Sequence, residues 1–446
     1  MNIRRIIAVW SGKITKVICK ITGKKGETLP GQIALKIYPN ILKDLSKQVR
    51  EEIFVVCGTN GKTTTNNLLA DTFIAQNKKV ICNRSGSNML NGVVSAFVTQ
   101  ASWSGSVKSD YACIEIDEAS TVKVFPHIEP DYMIITNLFR DQLDRYGEID
   151  TTMKLLQQAI EMRPDVKLII NGDDSLITSL AMKSKRKTIY FGVSEPVNTE
   201  VSSAEIREGN FCPFCGNKLT YDFYHYSQLG NYHCDHCDFK RPMMTYDGNK
   251  VQLKNGISFD VEGRTIKTNY RGFYNIYNIL AVYSAGKAAG FELEYFDKIL
   301  KDYHPQNGRN EEFMIHGCRI ILNLAKNPAG FNQNIKAVLE DDKPKDIILV
   351  INDHAQDGRD ISWLWDVDFD SFSDESIKSI TVSGIRRLDM LIRLKYVDIK
   401  AYQEKEVETA IRNVIDSGVN NLYLLVNYTA LFDTQNILNK IEKESK

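Results

Sequence analysis

A short glycine-containing segment between an apolar run and a helical pattern constrains this chain more than any other feature. Residues 58–64 read Gly-Thr-Asn-Gly-Lys-Thr-Thr, after the β-prone run Ile53–Cys57 and at the start of a helix pattern over Thr63–Ala75. Small residues at such a junction let backbone N–H groups surround phosphate oxygens at the positive end of a helix. Lys62 would reach the outer phosphates, and Thr63 would bind Mg²⁺. The segment predicts a phosphate-binding loop in an α/β domain.

The loop departs from the general phosphate-loop pattern at one position. In G-x-x-x-x-G-K-[ST], the first glycine position falls on Val56. The alternative is a glycine-rich turn with a solvated lysine, but a bare turn does not require the strand and the helix that flank this one. We therefore predict nucleotide contacts for the whole loop, which comprises Gly58, Thr59, Asn60, Gly61, Lys62, Thr63 and Thr64.

Short apolar runs separated by crossover-length segments continue along the chain. This alternation is typical of a mostly parallel sheet covered by helices. The predicted strands are Val80–Cys82, Tyr111–Ile116, Tyr132–Thr136, Leu168–Ile170, Ile320–Leu322, Asp346–Ile351, Ser379–Val382 and Leu422–Val426. A stretch rich in cysteine, tyrosine and histidine interrupts the pattern between residues 201 and 247, and a helix at Asn275–Ala289 resumes it.

These patterns predict three parts in a chain of 446 residues, which is long enough for several domains of ~150 residues. A basic helical leader occupies residues 1–48. A nucleotide-binding α/β domain occupies residues 49–305, with an insertion at about 205–245. A smaller Rossmann-like α/β domain occupies residues 306–446.

The overall charge excludes a strongly basic nucleic-acid binder. Lysine and arginine (56) balance aspartate and glutamate (56), so any charged site must be local. No apolar run approaches the ~18 residues that a membrane helix needs. The first 25 residues nevertheless carry seven basic side chains and no acidic one. We interpret them as a basic amphipathic helix of a cytoplasmic protein, which either packs on the core or contacts a membrane surface.

Four of the nine cysteines form two close pairs, which predict a metal site. Cys212 and Cys215 are separated by 18 residues from Cys234 and Cys237, within the C-x₂-C-x₁₅₋₂₀-C-x₂-C spacing of a zinc ribbon. Four thiolates around a tetrahedral ion leave no open position, which favours structural zinc over catalytic zinc. Zinc ribbons also occur in nucleic-acid-binding proteins, so a nucleic-acid-associated ATPase is an alternative function.

The G-T-N-G-K-T-T loop resembles the ATP-binding loop of the Mur ligase and folylpolyglutamate synthase superfamily, and further segments extend the resemblance. Residues 114–120 (I-E-I-D-E-A-S) are similar to a strand-end acidic segment in which a glutamate binds Mg²⁺, which implies Glu118 as a ligand. Residues 136–144 resemble the family's T-N-x-x-x-D-H-L-D segment, but Gln142 replaces its histidine. Gln142 is therefore a weaker ligand candidate for a second Mg²⁺.

Three more segments match the superfamily. Residues 171–174 match its N-x-D-D turn, and residues 272–278 match its G-x-H-N-x-x-N helix start, with Tyr274 in place of the histidine. An asparagine amide can pair with the donor and acceptor edge of adenine, so Asn278 and Asn275 are candidates for base recognition, with helix capping as the alternative for Asn275. Arg309, in a Gly-Arg pair, is implied as a clamp on the transferring phosphoryl group.

Within the superfamily, the chain most resembles MurT-type subunits of lipid II isoglutaminyl synthase. Residues 323–330 (N-L-A-K-N-P-A-G), the four-cysteine insertion and residues 357–363 (D-G-R-D-I-S-W) carry this resemblance. Only about 50 residues precede the loop, too few for the additional domain of ligases that bind UDP-linked precursors. The resemblance implies ATP- and Mg²⁺-dependent amidation of D-glutamate in the lipid II stem peptide, through an acyl phosphate. The alternative enzyme is a folylpolyglutamate synthase-like ligase that adds glutamate.

The resemblance also implies a partner. The chain has no G-x-C-x-G nucleophile elbow, so ammonia released from glutamine must come from a separate glutaminase subunit similar to GatD, in a heterodimer. Asp353, Asp357 and Asp360 follow a predicted strand at the end of the sheet where α/β proteins place sites. Asp360 is expected to face this glutaminase and to orient its catalytic histidine, because a carboxylate fixes the histidine tautomer. Solvated loop acids are the alternative.

Overall fold

The fold is given by a computed structural model of the chain. It describes residues 2–23, 26–141, 149–197, 207–254, 256–294, 296–302, 311–354 and 357–445. The chain forms two compact units. The first unit comprises Met1–Leu138, Ile149–Thr199 and Gly209–Tyr303, and the second comprises Phe139–Glu148, Glu200–Glu208 and His304–Lys446.

The first unit contains eleven strands in its described part. They are β1 (Ile53–Cys57), β2 (Val80–Cys82), β3 (Tyr111–Glu115), β4 (Tyr132–Ile135), β5 (Lys167–Asn171), β6 (Thr188–Val193), β7 (Thr220–Tyr226), β8 (Leu229–His233), β9 (Tyr246–Gln252), β10 (Ile257–Val261) and β11 (Arg264–Thr268). Nine of these form one sheet in the order β11-β10-β9-β6-β5-β4-β1-β3-β2. The pairs from β2 to β9 are parallel, whereas β9, β10 and β11 pair in antiparallel fashion.

Helices cover this sheet and add an N-terminal layer. They are α1 (Ile3–Ile21), α2 (Leu29–Ile37), α3 (Ile41–Ser46), α4 (Lys62–Ala75), α5 (Leu90–Gln100), α6 (Thr121–Val124), α7 (Ile149–Glu161), α8 (Ser175–Ser184), α9 (Tyr274–Ala288) and α10 (Phe296–Asp302). All five residues of β1 are buried. Burial of both faces explains why the central strands have continuously apolar sequences.

The insertion is a small antiparallel hairpin, β7–β8, flanked by two cysteine-bearing turns. Isolated bridges join Phe211 to Lys218 and His233 to Lys240 across these turns. This hairpin forms a two-stranded sheet separate from the nine-stranded one.

The second unit contains a six-stranded sheet in the order β12-β13-β17-β14-β15-β16. Its strands are β12 (Glu311–Ile315), β13 (Cys318–Leu324), β14 (Lys345–Val350), β15 (Ile377–Ser383), β16 (Tyr402–Gln403) and β17 (Asn421–Val426). Its helices are α11 (Pro328–Leu339), α12 (Arg387–Lys395), α13 (Val407–Asp416) and α14 (Tyr428–Glu444). Successive residues of β14 join apolar clusters on opposite faces of the sheet, as strand geometry requires.

The predicted α/β class with a mostly parallel sheet is confirmed. Outside the insertion, strands β6, β9 to β11, β12 and β16 were not predicted. Strands β10, β11 and β12 bury alternate residues only, so their sequences lack a continuous apolar run. In the described part of the chain, no helix is long and apolar enough to span a bilayer.

Candidate active site

The phosphate loop connects β1 to α4, and its two glycines are fixed by close contacts. Gly58 has φ +120°, and a Cβ there would lie 2.3 Å from Thr136 Oγ1. Gly61 has φ +85°, and a Cβ there would lie 2.1 Å from Asn278 Oδ1. Both positions combine a left-handed backbone with no space for a side chain, so they require glycine.

The end of β4 holds the loop in place. Asn137 Oδ1 accepts a hydrogen bond from Asn60 N at 2.9 Å, and Asn137 Nδ2 donates to Asn60 O at 3.1 Å. Thr136 Oγ1 donates to the same carbonyl at 2.7 Å, and Thr59 N donates to Asn137 O at 2.9 Å. The predicted T-N segment therefore acts as a clamp that orients the loop backbone.

Lys62 is buried and forms an ion pair within the site. Its Nζ lies 3.1 Å from Glu118 Oε1 and 3.3 Å from Oε2, and it donates to Gly58 O at 2.5 Å. The side chains of Lys62 and Glu118 are 9% and 6% exposed. The structure thus brings these two predicted residues together at the loop. The ammonium group of Lys62 is surrounded by oxygen acceptors, and a bound phosphate would supply further ones.

A second carboxylate at the same strand end was missed by the sequence analysis. Glu115 is buried, its Oε1 accepts from Asn88 Nδ2 at 2.9 Å, and its Oε2 has no hydrogen-bond partner among the described residues. A Cβ placed on Gly86 would lie 3.3 Å from Thr63 Oγ1 and 3.6 Å from Glu115 Oε2, so both oxygens border one small space. Glu115 and Glu118 lie three residues apart, and the residues around them did not indicate which of the two borders Thr63.

The two asparagines proposed for base recognition lie beside the loop at the start of α9. Thr65 Oγ1 donates to Asn278 Oδ1 at 3.4 Å, and Asn278 Nδ2 donates to Asn275 Oδ1 at 3.1 Å. Asn275 Nδ2 donates to Arg271 O at 2.7 Å, across the first turn of the helix. Asn275 thus contacts the helix start, while Asn278 contacts the loop, and their roles towards a base stay predictions.

The N-G-D-D turn positions α8 and α9. Asp174 caps α8 by accepting from Leu176 N at 3.0 Å, and it accepts from Leu138 N at 2.8 Å. Burial raises the pKa of Asp174 to about 7. Asp173 accepts from Tyr277 on α9 at 2.8 Å and from Arg241 at 2.6 Å. This turn links the insertion to the helix that carries Asn278.

Two predicted site residues, Gln142 and Arg309, lie outside the described residues.

Cys57, at the end of β1, is completely buried, and burial raises the pKa of its thiol well above the ordinary value. Cys57 is therefore a packed strand residue rather than a nucleophile.

The four predicted cysteines converge in the insertion. Their sulfur atoms all lie within 4.8 Å of one another, with 3.5 Å between the sulfurs of Cys212 and Cys237 and 3.4 Å between those of Cys215 and Cys234. None of these four described cysteines forms a disulfide. Amides of Asn217 lower the pKa of Cys215 to about 6, which favours its thiolate. The cluster could hold a metal ion.

The three aspartates after β14 have different environments. Asp353 pairs with Arg386 at 2.6 Å. Asp357 is buried and accepts hydrogen bonds from Thr429 N at 2.8 Å and from the Thr429 hydroxyl. Asp360 is partly exposed and accepts from Ser362 N at 2.8 Å, a hydrogen bond that lowers its pKa. Asp360 is therefore a partly exposed carboxylate, whereas Asp353 is paired with Arg386 and Asp357 is buried against Thr429.

Comparison with known proteins matches both units. A family model described as the Mur ligase middle domain matches residues 56–286, and a model of the MurT ligase C-terminal region matches residues 324–431. The chain is 34% identical over 439 residues to a Staphylococcus aureus (strain COL) protein named lipid II isoglutaminyl synthase (glutamine-hydrolyzing) subunit MurT, covering 98% of both chains. The chain belongs to the MurT family. The Streptococcus pneumoniae MurT of strain R6 is 32% identical over 443 residues, again with 98% of both chains covered.

Solved structures share the Mur ligase fold. A pseudomurein peptide ligase type C from Methanothermus fervidus matches with a TM-score of 0.66 at 22% identity, over 88% of this chain and 79% of that one. MurF from Acinetobacter baumannii matches with a TM-score of 0.67 at 14% identity, over 92% and 80%. The predicted MurT-type member of the Mur ligase superfamily is confirmed, and neither the folylpolyglutamate synthase nor the nucleic-acid alternative is favoured.

Proposed function

We propose that this chain is the synthetase subunit of a lipid II isoglutaminyl synthase, an ATP-dependent carbon–nitrogen ligase. The observation that carries the proposal is the buried loop site, with Lys62, Thr63 and two acidic side chains at one strand end, in a chain similar to MurT along its whole length. These groups suit transfer of a γ-phosphoryl group to a carboxylate, since each lies where phosphate charge would be bound.

The reaction has two steps. The α-carboxylate of D-glutamate in the stem peptide attacks the γ-phosphorus of ATP, which gives an acyl phosphate and ADP. Ammonia then attacks the acyl carbon, phosphate leaves with the C–O electron pair, and D-isoglutamine results after loss of a proton. Lys62 and the loop amides hold the phosphates during the first step, and Arg309 is proposed to clamp the transferring group.

The reaction is tested by measuring ADP release with lipid II or a folate as the acceptor and ammonium or glutamate as the amine. Release that depends on lipid II together with ammonium is expected. Release that depends on a folate together with glutamate would instead identify a folylpolyglutamate synthase-like ligase.

Magnesium would be held at the loop by hard oxygen ligands. Thr63 Oγ1 and Glu115 Oε2, which has no hydrogen-bond partner in the described part of the chain, border the same space, which fits such an ion. Glu118 remains a candidate through its carboxylate beside Lys62. When bound, the ion supplies charge neutralisation at the β- and γ-phosphates.

Glu115→Gln is expected to raise the Mg²⁺ concentration for half-maximal ADP release at least tenfold, because it removes a charged ligand oxygen. Glu118→Gln makes the same change at the second candidate ligand, and a shift in both variants would assign the ion to both carboxylates. A titration shifted in Glu118→Gln but unchanged in Glu115→Gln would reverse the assignment of the two residues.

The insertion is proposed to bind one structural zinc ion. Four sulfurs at ~2.3 Å from a tetrahedral ion are about 3.8 Å apart, close to the separations of the cysteine sulfurs in the cluster. The site is closed by Cys212, Cys215, Cys234 and Cys237, so the ion stabilises the hairpin and takes no part in catalysis.

Metal analysis of protein purified without added zinc should find one zinc per chain, and chelation should lower the thermal unfolding midpoint by several degrees. Cys215→Ser should lose the metal, whereas Lys218→Ser, an exposed position on the same hairpin, should retain it. Iron in place of zinc, or no metal in the unaltered protein, would contradict the proposal.

The curated relatives are named as a subunit, which implies an assembly. We place a GatD-like glutaminase on the second unit, beside Asp360. An apolar patch comprises Trp365, Ile385, Leu388, Ile392 and Tyr396, which are between 48% and 73% exposed. Ile385 N donates to Asn352 Oδ1 at 3.1 Å, which joins this patch to the loop that follows β14. We propose that a partner covering the patch also contacts Asp360. Because lipid II is membrane-bound, the enzyme would act at the inner face of the membrane.

A further inference from the structure

Helix α1 has one apolar face that packs against the first unit. Ala8, Val9, Gly12 and Cys19 are buried. A Cβ added to Gly12 would lie 2.4 Å from Val98 Cγ1 and 3.2 Å from Pro30 O, so the backbone of α1 packs directly against α5 and α2. This face accounts for the attachment of α1 to the fold.

The same helix carries a second apolar face that points to solvent. Its residues are between 49% and 80% exposed. They are Ile3, Ile7, Trp10, Ile14, Val17, Ile18 and Ile21. At the α-helical repeat, these positions fall within an arc of about 100°, the width of a stripe that normally packs against a core. These positions lie on the side of α1 opposite its buried face.

Basic side chains surround this outward stripe. Arg4 and Lys20 are exposed on α1 beside opposite edges of the stripe, and no acidic residue occurs in the first 25 residues, which carry seven basic ones. The whole chain has no net charge, so this local excess is a property of the helix rather than of the protein. A surface of this composition attracts anionic material.

Two tryptophans extend the stripe at its edge. Trp10 and Trp103 have ring centroids 5.9 Å apart in an edge-to-face arrangement, and Trp10 Nε1 donates to Trp103 O at 2.6 Å. Lys13 Nζ lies 5.4 Å from the Trp103 ring centroid and donates to Thr99 O at 2.7 Å. Half-exposed tryptophans beside lysines are typical of side chains at a lipid–water boundary.

From these observations we infer that α1 lies in the plane of an anionic lipid bilayer, with its outward stripe among the acyl chains and its basic residues at the headgroups. The basic charge of α1 favours an anionic bilayer over a second copy of the chain, because contact between two α1 helices would bring like charges together. The inference goes beyond the proposed function and rests on α1 and Trp103 alone.

The test is sedimentation of the full chain with vesicles that contain no lipid II. Vesicles of equal parts phosphatidylcholine and phosphatidylglycerol should bind the protein, and vesicles of phosphatidylcholine should bind it much more weakly. Ile14→Glu should weaken binding to the anionic vesicles at least tenfold, because it places a carboxylate in the apolar stripe. Met243→Glu, the same change at an exposed residue of the insertion, should leave binding unchanged.

Charge is tested separately. Each lysine or arginine near an anionic surface strengthens binding roughly fivefold, so Arg4→Gln with Lys20→Gln should weaken it about 25-fold. Amidation of detergent-solubilised lipid II should be unchanged in Ile14→Glu, so failure of the membrane inference and failure of the proposed function give different results. No binding to anionic vesicles, equal loss in Met243→Glu, or a change of oligomeric state in Ile14→Glu without vesicle binding would overturn the inference.

Discussion

Lys62→Ala is expected to reduce ADP release with lipid II and ammonium by about 10²- to 10³-fold, because it removes one preorganised positive charge from the site of phosphoryl transfer. The ion pair of Lys62 with Glu118 adds a second consequence. Both side chains are buried, and removal of one partner of a buried pair costs about 3–5 kcal/mol of folding stability. The variant is therefore expected to be less stable as well as inactive.

A double variant separates these two effects. Lys62→Ala combined with Glu118→Gln removes the buried negative charge along with the lysine, so the thermal unfolding midpoint should return towards that of the unaltered protein. Turnover should stay low, because the missing ammonium is not replaced. A folded double variant with normal ADP release would remove Lys62 from the reaction.

Asp360→Asn is expected to reduce glutamine-driven amidation by 10²- to 10⁴-fold in the complex with the glutaminase, while ammonium-driven amidation stays within about twofold of normal. Asparagine keeps an oxygen that can accept from Ser362 N, so the loop should keep its shape. The substitution removes the negative charge. In the unaltered protein, the hydrogen bond from Ser362 N favours the ionised carboxylate by lowering the pKa of Asp360. The two nitrogen sources are compared in steady-state assays.

The controls for Asp360 distinguish three explanations. Asp370→Asn makes the same chemical change at an exposed position nearby and should affect neither reaction. Leu388→Glu, in the apolar patch, should lose the complex itself, which size-exclusion chromatography detects. Equal loss with glutamine and ammonium in Asp360→Asn would place the residue in the synthetase site, and no loss with either would make it a solvated loop acid.

The fold was predictable where local sequence and tertiary environment agree. Strands β1 and β4 are buried on both faces, so their apolar runs mark them within a residue or two of their bounds. The strands β10 and β11 bury alternate residues at a sheet edge, and their mixed composition does not distinguish them from loops. The pattern of apolar residues reflects which side chains are buried, so it predicts strands least well where a strand is only partly buried.

The site shows the same division between local and distant contacts. The sequence by itself determined where the glycine loop and the two cysteine pairs lie, because both motifs are defined by residue types at fixed short spacings. Only the tertiary structure decided that Glu118 forms an ion pair with Lys62. It also decided that Glu115 Oε2 lies near Thr63 Oγ1. Asp357 likewise accepts hydrogen bonds from Thr429 only because the fold brings the two together. These distinctions depend on contacts between residues far apart in the chain, and neighbouring acids with similar sequence surroundings acquire different roles only when the fold gives each its own partners.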